Sequence, residues 1–233
     1  MIALTFALPS ESSDLIALLI ERKRLDGDDS KITYGKIDNR PVAIFHTGVG
    51  RKSCEAKIDN FLQVVRPDLL ISSGFAGGVR KDLEVGDLIL AENFSQRQLL
   101  LRAQDALRKA RVGKLFTSEK IINSTADRNA IARANGADAV DMETEVIAQA
   151  CAARGVPLLS LRVISDTARQ PLPAPPQVLF DIGRQRTNPI RFAACFLAHP
   201  NRILGLIRFA QDIAKARGAL AEALVTLMRE GNL

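Results

Sequence analysis

The chain has 233 residues, 47% of them hydrophobic and 25% charged, with a formal net charge of +6. That suits one α/β domain with an ordinary buried core. The opening Met1-Ile2-Ala3-Leu4-Thr5-Phe6 lacks the positive region and cleavage site of a signal peptide, and no uninterrupted apolar stretch is long enough for a membrane span.

The expected location is therefore the cytoplasm. Cys54, Cys151 and Cys195 are scattered, as in a reducing compartment, and with only His46 and His199 as imidazoles no metal site is expected. The positive charge concentrates late: from Ile182 onward there are eight Arg/Lys against Asp212, Glu222 and Glu230. Such an end suits nucleic acid, anionic lipid or plain solvation. With one tyrosine, no tryptophan and no recognition motif, nucleic acid is not expected as a partner.

Residues 2–8 read as a first strand ending at Pro9, with Ser10 as N-cap of a helix through about Ile20. Asp26-Gly27-Asp28-Asp29-Ser30 is turn material, and 31–37 with 41–46 read as a hairpin around Asp38-Asn39-Arg40. The Gly48-Val49-Gly50 turn precedes a helix at 52–65, and a strand at 68–73 runs into the glycine turn Gly74-Phe75-Ala76-Gly77-Gly78. A strand at 87–91, a basic helix at 98–111, a strand at 114–117 and a helix at 125–134 follow. Then come a short strand at 137–140, a helix at 143–154 and a last clear strand at 157–164. The proline run from Gln170 to Pro176 excludes regular helix and central strand. The rest reads as helix, with an apolar stripe of Ile203, Leu206, Ile207, Ala210, Ile213, Leu220, Leu224 and Leu227.

This alternation predicts an α/β fold, a single domain with a mixed twisted central sheet flanked by helices, plus a helical C-terminal extension. Residues 1–168 form the expected catalytic core, and 169–233 the proline-rich loop and helical extension of the same domain. Three carboxylates, Glu11, Glu143 and Asp166, fall at strand ends or helix starts, where ligands gather in open α/β sheets. The two glycine turns also follow strands and let backbone N–H groups approach a ligand. Each piece alone also has a plain reading, as a helix-dipole partner, a turn cap or a tight turn. Gly48-Val49-Gly50-Arg51-Lys52-Ser53 lacks the third glycine of a dinucleotide fingerprint and the Gly-Lys-Ser order of a P-loop.

Together the motifs resemble those of the nucleoside phosphorylase/nucleosidase family. The matching segments are Ser73-Gly74-Phe75-Ala76-Gly77-Gly78 with Val85-Gly86-Asp87, Val140-Asp141-Met142-Glu143, and Leu161-Arg162-Val163-Ile164-Ser165-Asp166. Gly48-Val49-Gly50 and Leu8-Pro9-Ser10-Glu11 fall in the expected order. The resemblance implies cleavage of a purine–ribose bond. Asp166 is then the general acid toward the purine, and Glu11 the general base that activates water. Glu143 and Met142 hold the ribose, while Phe75, Ala76, Gly77, Ser165, Ile121 and Ile122 contact the substrate. Gly48 and Gly50 are auxiliary, and Arg162 either sets the geometry of the Asp166 loop or forms a structural ion pair. No metal or organic cofactor is implied, phosphate is a potential co-substrate, and a homo-oligomer is expected.

Glu11 matches the nucleosidase branch, and a carboxylate there would repel phosphate, which favours hydrolysis. Phe75, the short segment 92–111 and the Ile121-Ile122 pair depart from the methylthioadenosine nucleosidases. They leave a nucleoside-binding module without turnover as the rival. Pro171-Leu172-Pro173, His199-Pro200-Asn201-Arg202-Ile203-Leu204 and the Arg/Lys-dotted helix resemble the hopanoid-associated phosphorylase subgroup, which implies adenosylhopane as an alternative substrate. Its helix would then lie on the inner membrane face or, alternatively, pack on the sheet or on another subunit.

Overall fold

The structure is a computed structural model that describes residues 1–26, 31–170 and 172–233. Residues 27–30 of the expected turn, and Pro171, lie outside the described residues. The chain opens with β1 (Ile2–Phe6), α1 (Pro9–Ala17), β2 (Ile20–Asp26), β3 (Lys31–Ile37), β4 (Arg40–His46) and α2 (Arg51–Val65). It continues with β5 (Leu69–Gly78), β6 (Leu88–Ala91), α3 (Arg97–Ala106), β7 (Arg111–Gly113), β8 (Leu115–Thr117) and α4 (Thr125–Asn135). β9 (Ala139–Asp141), α5 (Thr144–Arg154) and β10 (Leu158–Asp166) complete the sheet region. Beyond it lie α6 (Pro176–Leu179), α7 (Pro189–Ala198), a 3-10 turn at Pro200–Arg202 and α8 (Ile203–Glu230).

The main path of the sheet runs β2-β3-β4-β1-β5-β10-β6-β7, and β9 branches from β5 to carry β8. β4, β1, β5 and β10 are mutually parallel, whereas β3, β6 and β9 run antiparallel to them, so the sheet is mixed. β1 shows why the centre is buried on both faces. Ile2, Leu4 and Phe6 join one apolar cluster and Ala3 joins another, as strand alternation requires. The first cluster is closed by Leu15 of α1, Leu99 and Ala103 of α3, and Leu220, Leu224 and Leu227 of α8. The second is closed by Ile58 and Phe61 of α2 with Val146 and Ile147 of α5. In it Phe45 and Phe61 stack, ring centroids 4.4 Å apart.

Several elements differ from the sequence expectations. α1 stops at Ala17, and its N-cap is Leu8 rather than Ser10. Residues 20–26, expected in part as helix, form an edge strand whose order comes from the ladder with β3 rather than from apolar alternation. Its exposed Glu21, Arg22, Lys23 and Arg24 suit a sheet edge, where charge discourages pairing with another chain. The glycines 74–78 continue β5 instead of forming a turn, because Gly77 and Gly78 pair with β9 on one side while Gly77 pairs with β10 on the other. α3 ends at Ala106, and Arg111 already pairs with Ile89 of β6. The strand expected at 114–117 is β8, and an unexpected short strand, β7, precedes it, the two separated where the Lys114 amide donates to the Asp138 carboxylate (2.9 Å). α5 begins at Thr144 with Glu143 as N-cap, and β10 runs on to Asp166 through a bulge. Pro176 starts the one-turn helix α6, where its missing N–H costs nothing. The apolar stripe of α8 is divided: Ala216, Leu220, Leu224 and Leu227 are buried, while Ile203 and Ile207 stay exposed.

Candidate active site

The parallel strands β1, β4, β5 and β10 all end on one side of the sheet, and with β9, which runs antiparallel along the end of β5, they frame a cleft of about 180 Å³. Four carboxyl groups line it: Glu11 from the first turn of α1, Asp141 at the end of β9, Glu143 at the N-cap of α5, and Asp166 at the tip of β10. Met142, Phe75, Ala76, Gly77, Ser165, Ile121 and Ile122 line it too, so the structure gathers ten of the residues singled out in the sequence. Val49 and Lys120, which the sequence did not mark, complete part of its wall.

Glu11 is folded back onto the strand ends. Its Oε2 accepts from the amides of Ala7 (2.8 Å) and Leu8 (3.1 Å), and its Oε1 from that of Phe75 (3.3 Å). Burial nevertheless raises its pKa above the ordinary glutamate value, outweighing those N–H groups and the Arg162 charge. Glu143 behaves the same way: its Oε1 accepts from the Gly50 amide (2.6 Å), yet burial, followed by the neighbouring Asp141 charge, pushes its pKa up.

The Gly48–Gly50 turn that presents this amide depends on its glycines. Gly48 has φ +78°, and a Cβ there would lie 2.1 Å from Ser53 Oγ. Gln185 clamps the same turn, accepting from the Val49 amide (2.7 Å) and donating to the Val49 carbonyl (2.8 Å).

Arg162 does not reach the Asp166 loop. Its guanidinium is buried against Asp141 Oδ2 (3.0 and 3.1 Å), Ser72 Oγ (2.9 Å) and Thr144 Oγ1 (2.6 Å), the structural ion pair that was the alternative. It thereby fixes Asp141, two residues ahead of Glu143. The arginine that holds Asp166 is Arg128 of α4, which is fully buried and ion-pairs with Asp166 Oδ2. Arg128 also donates to the carbonyls of Gly78 (2.6 Å) and Ile122 (3.0 Å), while Asp166 Oδ1 accepts from Ser165 Oγ (2.8 Å). The guanidinium packs closely on Gly77, where a Cβ would lie a tight 3.1 Å from it. Nothing in the single sequence marked Arg128 or Gln185, because an arginine in a polar helix reads as solvated.

A cleft at the strand ends with four carboxyl groups and an apolar wall at the Asp166 end is the place this α/β fold offers a small polar ligand. A model of the Phosphorylase superfamily matches residues 1–101 and 93–198, and the chain belongs to that superfamily. Among curated relatives, it is 28% identical over 196 residues to a 5'-methylthioadenosine/S-adenosylhomocysteine nucleosidase of Haemophilus influenzae, covering 71% of this chain and 85% of that protein. The fold is also that of the Streptococcus pneumoniae MTA/SAH nucleosidase in complex with 8-aminoadenine (TM-score 0.75, 19% identity, 98% of this chain and 99% of that one). Futalosine hydrolase of Helicobacter pylori shares it as well (TM-score 0.74, 16% identity, 98% and 97%).

Proposed function

We propose that the protein hydrolyses the N-glycosidic bond of an adenine-type purine nucleoside. The observation that carries this reading is the convergence of Glu11, Glu143 and Asp166 on one cleft, with Met142 beside Glu143 and Ile121-Ile122 at the Asp166 end. In this reading the base lies against the isoleucines and the ribose against Met142. The bond from sugar to base breaks with its electron pair leaving on the base, and Asp166 delivers a proton to the purine to neutralise it. Glu143 accepts hydrogen bonds from ribose hydroxyls. Glu11 takes a proton from water as the water oxygen bonds to the sugar carbon, so nucleoside and water become free base and ribose. Carboxylates around a cationic sugar also stabilise the transition state. Water is the only co-reactant, with no metal or organic cofactor. The named relatives, all nucleosidases or hydrolases, support hydrolysis.

The deciding experiment is adenine release from adenosine, methylthioadenosine and a long-chain 5′-alkyl adenosine, each with and without phosphate. Release without phosphate is the expected result. Strict dependence on phosphate would make the protein a phosphorylase, and tight adenine binding without release from any substrate would make it a binding module.

A specific observation favours a second reading, in which the nucleoside is lipid-linked, as in adenosylhopane. The α7 helix and the first half of α8 expose Ile190 (79%), Leu197 (82%) and Leu204 (69%). Arg184, Arg186, Arg191, Arg202 and Arg208 lie in the same stretch, and no acid occurs between Asp181 and Asp212. An apolar face edged with arginine suits the anionic inner face of a membrane. None of the described helices is long and apolar enough to cross one. Co-sedimentation with phosphatidylglycerol vesicles but not phosphatidylcholine vesicles is expected on this reading. A dimer that masks the face, seen by light scattering with no vesicle binding, would assign it to the expected homo-oligomer instead.

A further inference from the structure

The sugar end of the cleft rests on a contact from far along the chain. Residues 181–186 form a tight turn, closed by paired backbone bonds between Asp181 and Arg186 (3.0 and 3.3 Å) and by the Arg184 amide donating to Asp181 Oδ1 (3.0 Å). Gln185 has a left-handed backbone there, with φ +52°. Its carboxamide engages Val49 twice: Oε1 accepts from the Val49 amide (2.7 Å), and Nε2 donates to the Val49 carbonyl (2.8 Å). Nε2 also donates to the Ile182 carbonyl of its own turn (2.7 Å). The two bonds to Val49 repeat what facing residues exchange in an antiparallel ladder, made here by a side chain. The partners fix the orientation of the carboxamide, because the N–H must donate and both carbonyls must accept.

Val49 lines the cleft, and the next residue, Gly50, donates its amide to Glu143 Oε1 (2.6 Å). Gly48 and Gly50 on either side of Val49 have φ +78° and +88°. A turn built on such permissive backbone takes one conformation only when outside contacts hold it. At its start the Gly48 amide donates to the Ala7 carbonyl (3.0 Å), and Ser53 Oγ donates to the Thr47 carbonyl (2.8 Å). Further on, Ile182 and Met142 flank Gly50, where a Cβ would lie 3.5 Å from Ile182 Cγ2 and 3.7 Å from Met142 Cε. Residues 181–186 thus bring both a polar clamp and an apolar contact to the segment that aims Glu143.

Resting on the reading of Glu143 as acceptor for ribose hydroxyls, we infer that Gln185 is a positioning residue that sets the preference for ribose over 2′-deoxyribose. It acts through Val49 and the Gly50 amide, which fixes where the Glu143 carboxylate stands. Hydrogen bonds weaken steeply with misalignment. A loosened turn therefore costs a nucleoside that uses the carboxylate more than one that lacks the hydroxyl. Glutamine alone meets the geometry: glutamate would set an oxygen against two carbonyls, and asparagine is one methylene short.

The test measures adenine release from adenosine and 2′-deoxyadenosine by wild type, Gln185→Ala and Gln185→Glu, the second variant keeping nearly the same size. Hydrogen exchange at the Val49 and Gly50 amides is followed in the same proteins. Wild type should prefer adenosine in kcat/KM. Both variants should lower kcat/KM for adenosine by about tenfold or more, 2′-deoxyadenosine by clearly less, and both amides should exchange faster. A variant that keeps the full preference, equal losses on the two substrates, or unchanged exchange at Gly50 would overturn the inference. Should wild type release adenine from neither nucleoside, the glycosidase reading fails by itself, and calorimetric binding of the two nucleosides decides. A preference for adenosine that the variants lose upholds the role of Gln185, and no preference, or one that the variants keep, overturns it.

Discussion

The two ends of the cleft hold their carboxyl groups by different means. At the base end Asp166 faces a fully buried arginine, Arg128, which is itself tied to two backbone carbonyls. At the sugar end Glu11 and Glu143 receive backbone N–H groups, and the nearby Arg162 is committed to Asp141, Ser72 and Thr144. There burial outweighs the hydrogen bonds and both pKa values rise. Amide donors alone do not compensate a carboxylate for lost water, whereas a buried countercharge creates a pair that neither partner leaves cheaply. One residue type thus meets two electrostatic settings in one cleft, a buried countercharge at Asp166 and burial without a committed countercharge at Glu11 and Glu143.

The largest expected effect comes from breaking the base end. Asp166→Asn removes the proposed acid, and adenine release should fall by about 10²- to 10⁴-fold. Near-normal turnover would sink that assignment. The same change leaves Arg128 buried without its partner, so urea unfolding should show a loss of stability, on the scale of about 3–5 kcal/mol for a broken buried pair.

Arg128→Met probes the pair from its other side and should cost a similar stability while also lowering kcat, because Asp166 loses its fixed position. The pair itself is measured by combining the two. The double variant Asp166→Asn/Arg128→Met should be less destabilised than the two single losses added together, since the second change removes the charge that the first stranded. Simple additivity would mean that the two side chains are not coupled, and the contrast between the ends of the cleft would disappear.

Much of this arrangement was legible in the sequence, for a physical reason. β1, β4, β5 and β10 are apolar runs, and their ends carry the Glu11, Gly48–Gly50 and Asp166 segments, so placing the strands also places those residues on one rim of the sheet. What escaped reading depends on contacts made far along the chain. Ile20-Glu21-Arg22-Lys23-Arg24 has no apolar alternation, and only its ladder with β3 makes it a strand. Arg128 is buried through partners about forty to fifty positions away, the Gly78 carbonyl and the Asp166 carboxylate. For Arg162 the sequence left two readings open, a hold on the Asp166 loop or a structural ion pair; the bulge after Ile164 breaks the alternation of β10 before Asp166, and Arg162 pairs with Asp141. The α8 stripe was continuous in sequence, yet the sheet ends before the helix does, and only its second half finds apolar neighbours.

The smallest effect expected is on stability at the sugar end, and it has a definite sign. With Glu11 and Glu143 both raised, the folded protein keeps protons at pH values where the unfolded chain has already lost them. Their contribution to stability is therefore greatest near or below the ordinary glutamate pKa and falls as pH climbs through neutrality toward the raised values. Glu143→Gln keeps an acceptor for the Gly50 amide while removing the charge that burial penalises. Its melting temperature should drop less than that of wild type between pH 5 and pH 8, terms of about 1 kcal/mol showing as about 2–4 °C in a chain of this size. The same variant should bind ribose less well, because an amide accepts less strongly than a carboxylate. A variant with the wild-type pH dependence of melting would mean that the Glu143 carboxyl is not the group that burial perturbs, and Glu11→Gln would then be the variant expected to flatten the curve.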